Sequence, residues 1–374
     1  MSAVGSALWS DATNVLAVRL DTIGDVLMTT PAIRALKEAR PDRRVTLLTS
    51  HAGAAVAALV PEIDDVVVYD APWFKATPPR ADSRRDHEMA DLLRGRAFDS
   101  AIIFTTFSQS SLPAALLCYL ADIPLRLAHC RENPYQLLTT RVAEREPELG
   151  IRHEVERQLD LVAAVGCSVS DRRLSVRVPP DDRARVRTLL GSVGVDRDDS
   201  WFVVHPGATA PSRRYPPELF AEAIRQVVSR TRASVLVTGD RSEVELATRV
   251  SASVDGYARV LAGALSLGEL TALIAETPVL LTNNTGPAHI AAAVGTAVVD
   301  LYALTNPQHT PWMVRSRVLS YDVPCRNCFR SVCPEQHHQC LRGVSPDEVA
   351  AAVCELLVGA PARGLALDSK LKHK

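Results

Sequence analysis

An acidic residue, Asp25, stands where a strand-like run, residues 15–20, gives way to a helical pattern. Ligands of α/β proteins usually bind at the carboxyl ends of strands, so a carboxylate here could accept a proton from a substrate hydroxyl. Aspartate is also favoured at helix N-termini, because it accepts backbone N–H bonds and complements the helix dipole. Two interpretations of Asp25 therefore stay open, a general base and a helix cap. The junction lacks the glycine-rich patterns of dinucleotide sites and P-loops, which argues against dehydrogenases and kinases.

A second junction, residues 281–295, joins a buried strand, a polar loop and an Ala-rich helical pattern. The free N–H groups of a helix N-terminus, with a nearby hydroxyl, form an anion site. We therefore expect a phosphate group to bind here. The residues concerned are Asn284, Thr285, Gly286, Pro287 and His289. An ordinary capped helix is the alternative, and His289 could equally be a core histidine.

The loop after the expected strand 201–205 is rich in Gly, Thr and Ser and carries two adjacent arginines, Arg213 and Arg214. Guanidinium groups bind diphosphates through paired hydrogen bonds, although paired arginines on a surface loop are often only solvated. Glu243 follows the next strand end, where a carboxylate can hold ribose hydroxyls or cap its own helix. These positions indicate a site for a nucleotide.

Four of the eight cysteines fall within residues 325–340, with the spacing C-x2-C-x4-C-x6-C. Four thiolates can surround one tetrahedral metal ion and would leave no open position for catalysis. We expect a structural zinc or iron ion at Cys325, Cys328, Cys333 and Cys340. Reduced thiols that pack a loop, or disulfides, are the alternatives. In a reducing compartment, clustering of this kind suggests metal binding rather than disulfides, and we expect a cytoplasmic protein.

Short β-branched runs alternate with helical patterns along the chain, which predicts parallel sheets with crossover helices. The expected strands are residues 15–20, 45–48, 66–69, 101–104, 201–205, 234–238, 279–282 and 298–301. A chain of 374 residues favours two domains, which we place at residues 1–178 and 183–360, followed by a disordered tail, 361–374. Pro31 would break a helix interior, so we expect a short turn from Gly24 to Thr29 and a helix with Pro31 in its first turn.

The composition excludes some classes of protein. A net charge of −1 argues against nucleic-acid binding. The sequence contains no run of eighteen apolar residues, so we expect no transmembrane helix, although peripheral association with a membrane stays open. The N-terminal residues have no basic segment followed by an apolar one, which is a poor match to a signal peptide.

Three ordered blocks resemble glycosyltransferase family 9, the ADP-heptose heptosyltransferases. The first block lies in residues 22–41, the second is HPGATAPSRRYPPELF, residues 205–220, and the third is residues 283–295. The resemblance implies an α/β protein of GT-B fold, with two Rossmann-like, doubly wound parallel-sheet domains facing a cleft. The N-terminal domain would bind the acceptor and the C-terminal domain the nucleotide-sugar donor.

The resemblance also implies a reaction, the inverting transfer of a heptose from ADP-heptose to an acceptor hydroxyl, with no cofactor in the chemistry. Asp25 matches the general base of the family. Thr209 and Arg213 match diphosphate-binding positions, and Glu243 matches the ribose-binding acid. Residues 285–287 match the donor-pyrophosphate loop. In such folds the strand ends of the first domain face the acceptor, so Gly24, Ser108 and Gln109 are expected to bind it.

One departure from the family bears on the donor. Asn284 stands where the family has Asp, which removes a negative charge near the sugar. A member that uses a UDP-, GDP- or other ADP-sugar is therefore an alternative. A non-catalytic protein that binds a sugar nucleotide or senses a metal is a second one, although pure binding needs no base. The acceptor could be a glycan, a natural product or a protein.

Overall fold

The computed structural model describes residues 8–74, 77–196, 199–254 and 256–359. The expected tail, 361–374, lies outside the described residues. Two six-stranded sheets organise the chain, and every pair of neighbouring strands runs parallel. The first sheet contains β1 (Asn14–Val18), β2 (Arg44–Thr49), β3 (Asp65–Val68), β4 (Ser100–Ile103), β5 (Leu125–Cys130) and β6 (Thr140–Ala143). The second contains β7 (Trp201–His205), β8 (Ser234–Val237), β9 (Ala258–Val260), β10 (Val279–Asn283), β11 (Ala297–Leu301) and β12 (Ser316–Leu319).

Helices connect these strands. We call the first sheet with its helices the first unit, and the second sheet with its helices the second unit. The helices of the first unit are α1 (Ile23–Ala39), α2 (His51–Ala57), α3 (Arg84–Gly95), α4 (Leu112–Leu120) and α5 (Glu154–Ala163). Those of the second unit are α6 (Pro180–Ser192), α7 (Pro217–Thr231), α8 (Val244–Ser251), α9 (Leu267–Glu276), α10 (Gly286–Val294), α11 (Gln339–Arg342) and α12 (Pro346–Val358). None of the helices in the described ranges is long and apolar enough to cross a bilayer.

Both sheets have the same doubly wound strand order. The first runs β3-β2-β1-β4-β5-β6 and the second β12-β11-β10-β7-β8-β9. The winding reverses between β1 and β4, and again between β7 and β10. The loops that leave two such strands diverge and open a crevice, where ligands of doubly wound proteins bind. Each unit therefore presents one crevice, and the two-sheet α/β prediction is confirmed.

Alternate residues of each strand face opposite sides of its sheet. One apolar core contains Ala17 of β1 and Val203 of β7, and it continues from one sheet to the other. Contacts between α1 and α10 bridge the two units. Leu16 lies in a separate core on the far side of the first sheet, and Val204 in one on the far side of the second. The shared core keeps the two crevices facing each other.

The eight expected strands all exist, with ends that agree or differ by at most two residues. Four further strands were not expected: β5, β6, β9 and β12. Three of them, β6, β9 and β12, are edge strands. They are short and partly exposed, so they lack the continuous apolar run that identifies a buried parallel strand.

The prediction that the first helix starts near Pro31 was wrong, because α1 runs unbroken from Ile23 to Ala39. Pro31 has no N–H to donate to the carbonyl of Leu27. The hydroxyl of Thr30 donates to that carbonyl instead, at 2.7 Å. The hydroxyl oxygen of Thr30 also accepts the backbone N–H of Ser175 at 3.0 Å. One side chain thus replaces the bond that proline removes.

We expect Thr30→Val to destabilise the protein by about 1–3 kcal/mol, because it leaves the buried Leu27 carbonyl and the partly buried Ser175 N–H without their hydroxyl partner. The measurement is the free energy of unfolding in urea. Thr30→Ser keeps the hydroxyl and is the matched control, with a smaller expected loss. A valine variant as stable as the serine variant would contradict this account of the helix.

Candidate active site

The loops after β1, β4, β7 and β10 line a shared cavity of about 620 Å³ between the two units. It brings together ten residues that the sequence singled out. They are Gly24, Asp25, Ser108 and Gln109 from the first unit, and Thr209, Arg213, Asn284, Thr285, Gly286 and His289 from the second. A carboxylate on one wall therefore faces a guanidinium and a helix N-terminus on the other.

Asp25 lies in the first turn of α1, three residues after the capping residue Thr22. Its Oδ2 accepts the backbone N–H of Thr22 at 3.1 Å and the hydroxyl at 2.9 Å. Its Oδ1 accepts Arg19 Nη2 at 3.0 Å. The side chain thus helps to cap its helix and also lines the cavity, so the two interpretations of Asp25 are physically compatible.

Arg19 is fully buried and forms ion pairs with three carboxylates, Asp21 at 3.1 Å, Asp25 at 3.0 Å and Glu154 at 2.9 Å. Burial by itself would raise the pKa of all three carboxyls. For Asp25, the guanidinium of Arg19, the nearby His309 and the bonds from Thr22 outweigh burial and hold its pKa well below the usual range. The pKa values of Asp21 and Glu154 stay raised, because burial outweighs the attraction of Arg19 and the Asp25 charge opposes their ionisation. One cation thus keeps Asp25 ionised in preference to its neighbours.

The β4 loop supports this carboxylate group from the side. Gln109 donates from Nε2 to Asp21 Oδ1 at 2.7 Å, and its Oε1 accepts the backbone N–H of Thr106 at 3.0 Å. The Ser108 hydroxyl lies 3.2 Å from the Thr106 hydroxyl. Gln109 therefore orients Asp21, while Ser108 faces the cavity from the same loop.

The loop after β7 presents one of its two arginines to the cavity. Arg213 lines it and donates from Nη2 to Asn306 Oδ1 at 3.1 Å. Arg214 does not line it. Its Nε donates to the Ala208 carbonyl at 2.7 Å, so in this structure Arg214 shapes the loop. Thr209, from the same loop, also lines the cavity.

The N-terminus of α10 forms the floor of the cavity on the side of the second unit. Thr285 is its capping residue, but the Thr285 hydroxyl makes no capping bond to the helix and so is available to a ligand. Pro287 is buried in the first turn and does not line the cavity. Asn283 holds the β7 loop by accepting the Tyr215 N–H at 3.0 Å and donating to the Pro206 carbonyl at 2.7 Å.

Within the described ranges, Asn284 is buried on the cavity floor, and its side-chain amide interacts with the Tyr302 hydroxyl. Asp300, on the neighbouring strand β11, is also fully buried, and neither of its carboxyl oxygens has a partner there. Burial raises the pKa of Asp300 well above its ordinary value, although Arg213 opposes the shift. Beside the strand that leads to Asn284, the structure therefore contains a buried carboxyl that no described residue satisfies.

Gly24 of the first unit packs against His289 of the second within the cavity. A Cβ added to Gly24 would lie 2.5 Å from His289 Cδ2, so α1 can approach the imidazole only with glycine there. Burial lowers the pKa of His289 to about 4, which makes the ring neutral near pH 7. Gly24 thus acts through its lack of a side chain, a role that the expected acceptor contact did not include.

Glu243 does not line the cavity. Its Oε2 accepts the backbone N–H of Asp240 at 3.0 Å, which makes it a capping residue, as the alternative interpretation had it. It lies under the β7 loop, where a Cβ on Gly207 would be 2.0 Å from Glu243 Oε1. Its carboxylate therefore supports the loop that carries Thr209 and Arg213.

The structure gives the predicted metal site no support. Within the described residues, no group of three or more His, Cys, Asp or Glu side chains could hold a metal ion. The four thiols at Cys325, Cys328, Cys333 and Cys340 are free. Burial raises the pKa of Cys340, and the other three thiols add to the shift, so the four lie near one another without forming a coordination site.

The cysteine-rich segment instead contacts the loop after β7. Ser212, beside Arg213, donates from its backbone N–H to the Ser331 carbonyl at 3.0 Å and from its hydroxyl to the Arg330 carbonyl at 2.7 Å. This placement agrees with the alternative of thiols that pack a loop.

Sequence reasoning missed Arg19 and His309 among the functional residues. Arg19 is a charged residue that directly follows the apolar run of β1, and such a residue is buried only when paired. That signal was available. His309 lies in the loop after β11 and lines the cavity, but nothing in the spacing of the sequence indicated it.

Comparison with known proteins reproduces the resemblance. The sequence profile of glycosyltransferase family 9 (heptosyltransferase) matches residues 87–339. The chain is 23% identical to lipopolysaccharide heptosyltransferase 2 of Salmonella typhimurium, over 92% of this chain and 98% of the relative.

Two solved structures share the fold. A family 9 glycosyltransferase from Veillonella parvula aligns with a TM-score of 0.75 at 22% identity, covering 92% of this chain and 97% of that one. The ADP-heptose LPS heptosyltransferase II of E. coli aligns with a TM-score of 0.71 at 20% identity, covering 92% and 99%. The GT-B arrangement expected from the sequence is thereby confirmed.

We expect Gly24→Ala to weaken binding of ADP by about tenfold, because the new methyl group collides with His289 and separates the two walls. The measurement is the dissociation constant of ADP by calorimetry. Gly95→Ala is the matched control, since a Cβ at Gly95 meets nothing within 4 Å. Equal affinity of the two variants would show that the α1–His289 contact does not set the shape of the cavity.

Proposed function

The chain belongs to glycosyltransferase family 9 and is a glycosyltransferase, and from that premise we propose that it transfers a heptose from ADP-heptose to an acceptor hydroxyl with inversion. One observation supports this most directly. The cavity places the carboxylate of Asp25, from the first unit, opposite Arg213 and the N-terminus of α10, from the second. Glycosyl transfer from a nucleotide sugar needs this pairing of a base with a site for the leaving diphosphate.

On the donor side, the leaving ADP carries its negative charge on the diphosphate. Arg213 supplies a guanidinium fork, and the free N–H groups of α10 with the Thr285 hydroxyl supply neutral donors. Thr209 adds a hydroxyl from the β7 loop. His289 is neutral, so it can donate or accept a hydrogen bond without adding charge. These groups stabilise the diphosphate as the glycosidic bond breaks.

On the acceptor side, Asp25 accepts the proton of the attacking hydroxyl. Its low pKa makes it a weak base in the ground state, but it stays ionised at every pH near neutrality. The acceptor oxygen becomes acidic only as its bond to the anomeric carbon forms, so proton transfer comes late in the reaction. A base on one wall and a leaving group on the other fit a single displacement, which inverts the anomeric centre.

The two units then have separate roles. We propose that the first unit, with Gly24, Ser108 and Gln109 at the cavity, receives the acceptor, and that the second unit holds the donor. The relative from Salmonella acts on lipopolysaccharide by its printed name. For this chain we propose a hydroxyl-bearing acceptor at the cytoplasmic side of a cell, which the free state of all eight cysteines supports.

A second candidate keeps the reaction and changes the donor to another nucleotide sugar. Asn284 favours it, because the neutral amide on the cavity floor offers an N–H donor where an aspartate would only accept. The Asn284 Nδ2 can donate a hydrogen bond to a sugar oxygen, whereas a carboxylate can only accept one from a sugar hydroxyl. The sugar and the base of the nucleotide are therefore the parts of the proposal that need a direct test.

We expect Asp25→Asn to lower the rate of sugar transfer by about 10²–10⁴-fold, the range that general bases contribute, and to leave ADP affinity unchanged within about twofold. The measurement is ADP release from ADP-heptose with a cell lysate as the source of acceptor. Asp21→Asn is the matched control, with a smaller expected loss. A larger loss in the Asp21 variant would assign the base to Asp21 instead.

The adjacent arginines allow a test of the donor side that does not depend on an acceptor. We expect Arg213→Met to weaken ADP binding by about tenfold to a hundredfold, because a charged hydrogen bond is worth about 1.5–3 kcal/mol. Arg214→Met is expected to change it by less than about threefold. A larger loss of ADP affinity in the Arg214 variant than in the Arg213 variant would show that the diphosphate does not bind in this cavity.

A further inference from the structure

A chain of polar contacts leads from the donor arginine to a histidine at the boundary between the two units. Asn306 Oδ1 accepts from Arg213 Nη2 at 3.1 Å and from the Thr305 hydroxyl at 2.8 Å. Arginine can only donate, so this contact fixes the amide orientation of Asn306. Its Nδ2 therefore points the other way, to His309 Nδ1 at 2.8 Å.

The orientation of Asn306 determines the tautomer of His309. Because Asn306 Nδ2 is a donor, His309 Nδ1 must accept, and the proton of the neutral ring is then on Nε2. That Nε2–H is buried and has no hydrogen-bond partner among the described residues. Burial lowers the pKa of His309 to about 3, so the neutral tautomer is the relevant one. The charged or titratable groups that face this ring are Asp25, His289, Arg213, Arg19 and Glu154.

A carboxylate oxygen of the other unit lies opposite this donor. Glu154, at the start of α5, is fully buried. Its Oε1 accepts from Gln158 Nε2 at 2.6 Å and lies 2.9 Å from Arg19 Nη1. Its Oε2 has no hydrogen-bond partner in the described part of the chain. It lies 4.0 Å from His309 Nε2.

At this point, therefore, a hydrogen bond between the two units is possible but is not formed. A donor and an acceptor, both buried and both unpaired, face each other about 1 Å beyond the length of an N–H···O hydrogen bond. Leaving buried polar groups unpaired costs about 1–3 kcal/mol each. The flanking backbone is already joined, because Glu154 N–H donates to the Gln308 carbonyl at 3.0 Å and His153 Nε2 lies 2.8 Å from the Thr310 carbonyl. A small shift of the two units would close the gap.

We propose that His309 and Glu154 form an interdomain latch, a hydrogen bond that closes when a diphosphate occupies the cavity beside Arg213. The proposal rests on the proposed function, since the diphosphate is the leaving part of the donor. A ligand shifts an equilibrium only if it binds one state better. A diphosphate held between the two walls does so, because the closed form brings both walls against it.

The latch connects donor binding to the base. Glu154 contacts Arg19, and Arg19 contacts Asp25, so the closed latch joins Arg213 to Asp25 through Asn306, His309, Glu154 and Arg19. His309 and Glu154 are positioning residues in this account. They hold the ion pairs around Asp25 in a fixed position relative to the occupied donor site. The carboxylate of Asp25 is therefore correctly placed when the donor is bound.

The test is a double-mutant cycle on the affinity for ADP, with inorganic pyrophosphate as a second probe. Glu154→Gln keeps an oxygen towards Arg19 and Gln158, and it places an N–H group opposite the Nε2–H of His309. We expect it to weaken ADP binding by about tenfold in the wild-type background. In a His309→Gln background we expect the same substitution to weaken binding by less than about twofold, because the latch is already absent.

A control separates the latch from the loss of charge next to Arg19. His153→Gln alters the same boundary but not the chain from Arg213, so Glu154→Gln should still cost about tenfold in that background. Equal effects of Glu154→Gln in the wild-type and His309→Gln backgrounds would overturn the latch while wild-type ADP binding upholds the donor site. Binding of pyrophosphate without ADP would contradict the ADP donor, and the cycle run on pyrophosphate would then decide the latch. If neither probe binds, both proposals are wrong.

Discussion

The ion pairs of one buried guanidinium, Arg19, organise the half of the site that the first unit contributes. A charge in the interior is tolerated only when it is paired, and Arg19 is paired with Asp21, Asp25 and Glu154. Burial raises the pKa of Asp21 and Glu154. For Asp25, the attraction of Arg19, the nearby His309 and the bonds from Thr22 outweigh burial and hold its pKa below the usual range. The charge state of the proposed base therefore follows from the packing of an arginine that does not itself line the cavity.

The second constraint is the topology shared by the two sheets. Each doubly wound sheet opens a crevice at its reversal of winding, and the common apolar core holds the two crevices face to face. The close approach of α1 to His289 needs a residue without a Cβ at position 24. On the opposite wall, Glu243, Arg214 and the cysteine-rich segment hold the β7 loop from behind. Loop residues that do not touch the cavity thus determine where Arg213 lies.

Much of this arrangement could be predicted from the sequence, and the exceptions have physical reasons. Buried central strands carry long apolar runs, so β7 was predicted to the residue, whereas exposed edge strands such as β12 were not. Strand ends identified the loops of the cavity, but not which side chain in a loop turns inward, so Arg213 and Arg214 looked alike. The helix break expected at Pro31 failed because Thr30 makes the missing bond. The role of His309 could not be predicted, because it depends on contacts with residues of both units that are far apart in the sequence.

The central claim is that this cleft moves a heptose from an ADP-activated donor. The most direct test offers the purified protein, with a cell lysate as the source of acceptor, a panel of ADP-heptoses, ADP-glucose, UDP-sugars and GDP-sugars. The quantity measured is the free nucleotide released from each. The account predicts release of ADP from an ADP-heptose and from no other donor of the panel. Release only from UDP- or GDP-sugars would keep the fold and the cleft but contradict the heptose donor.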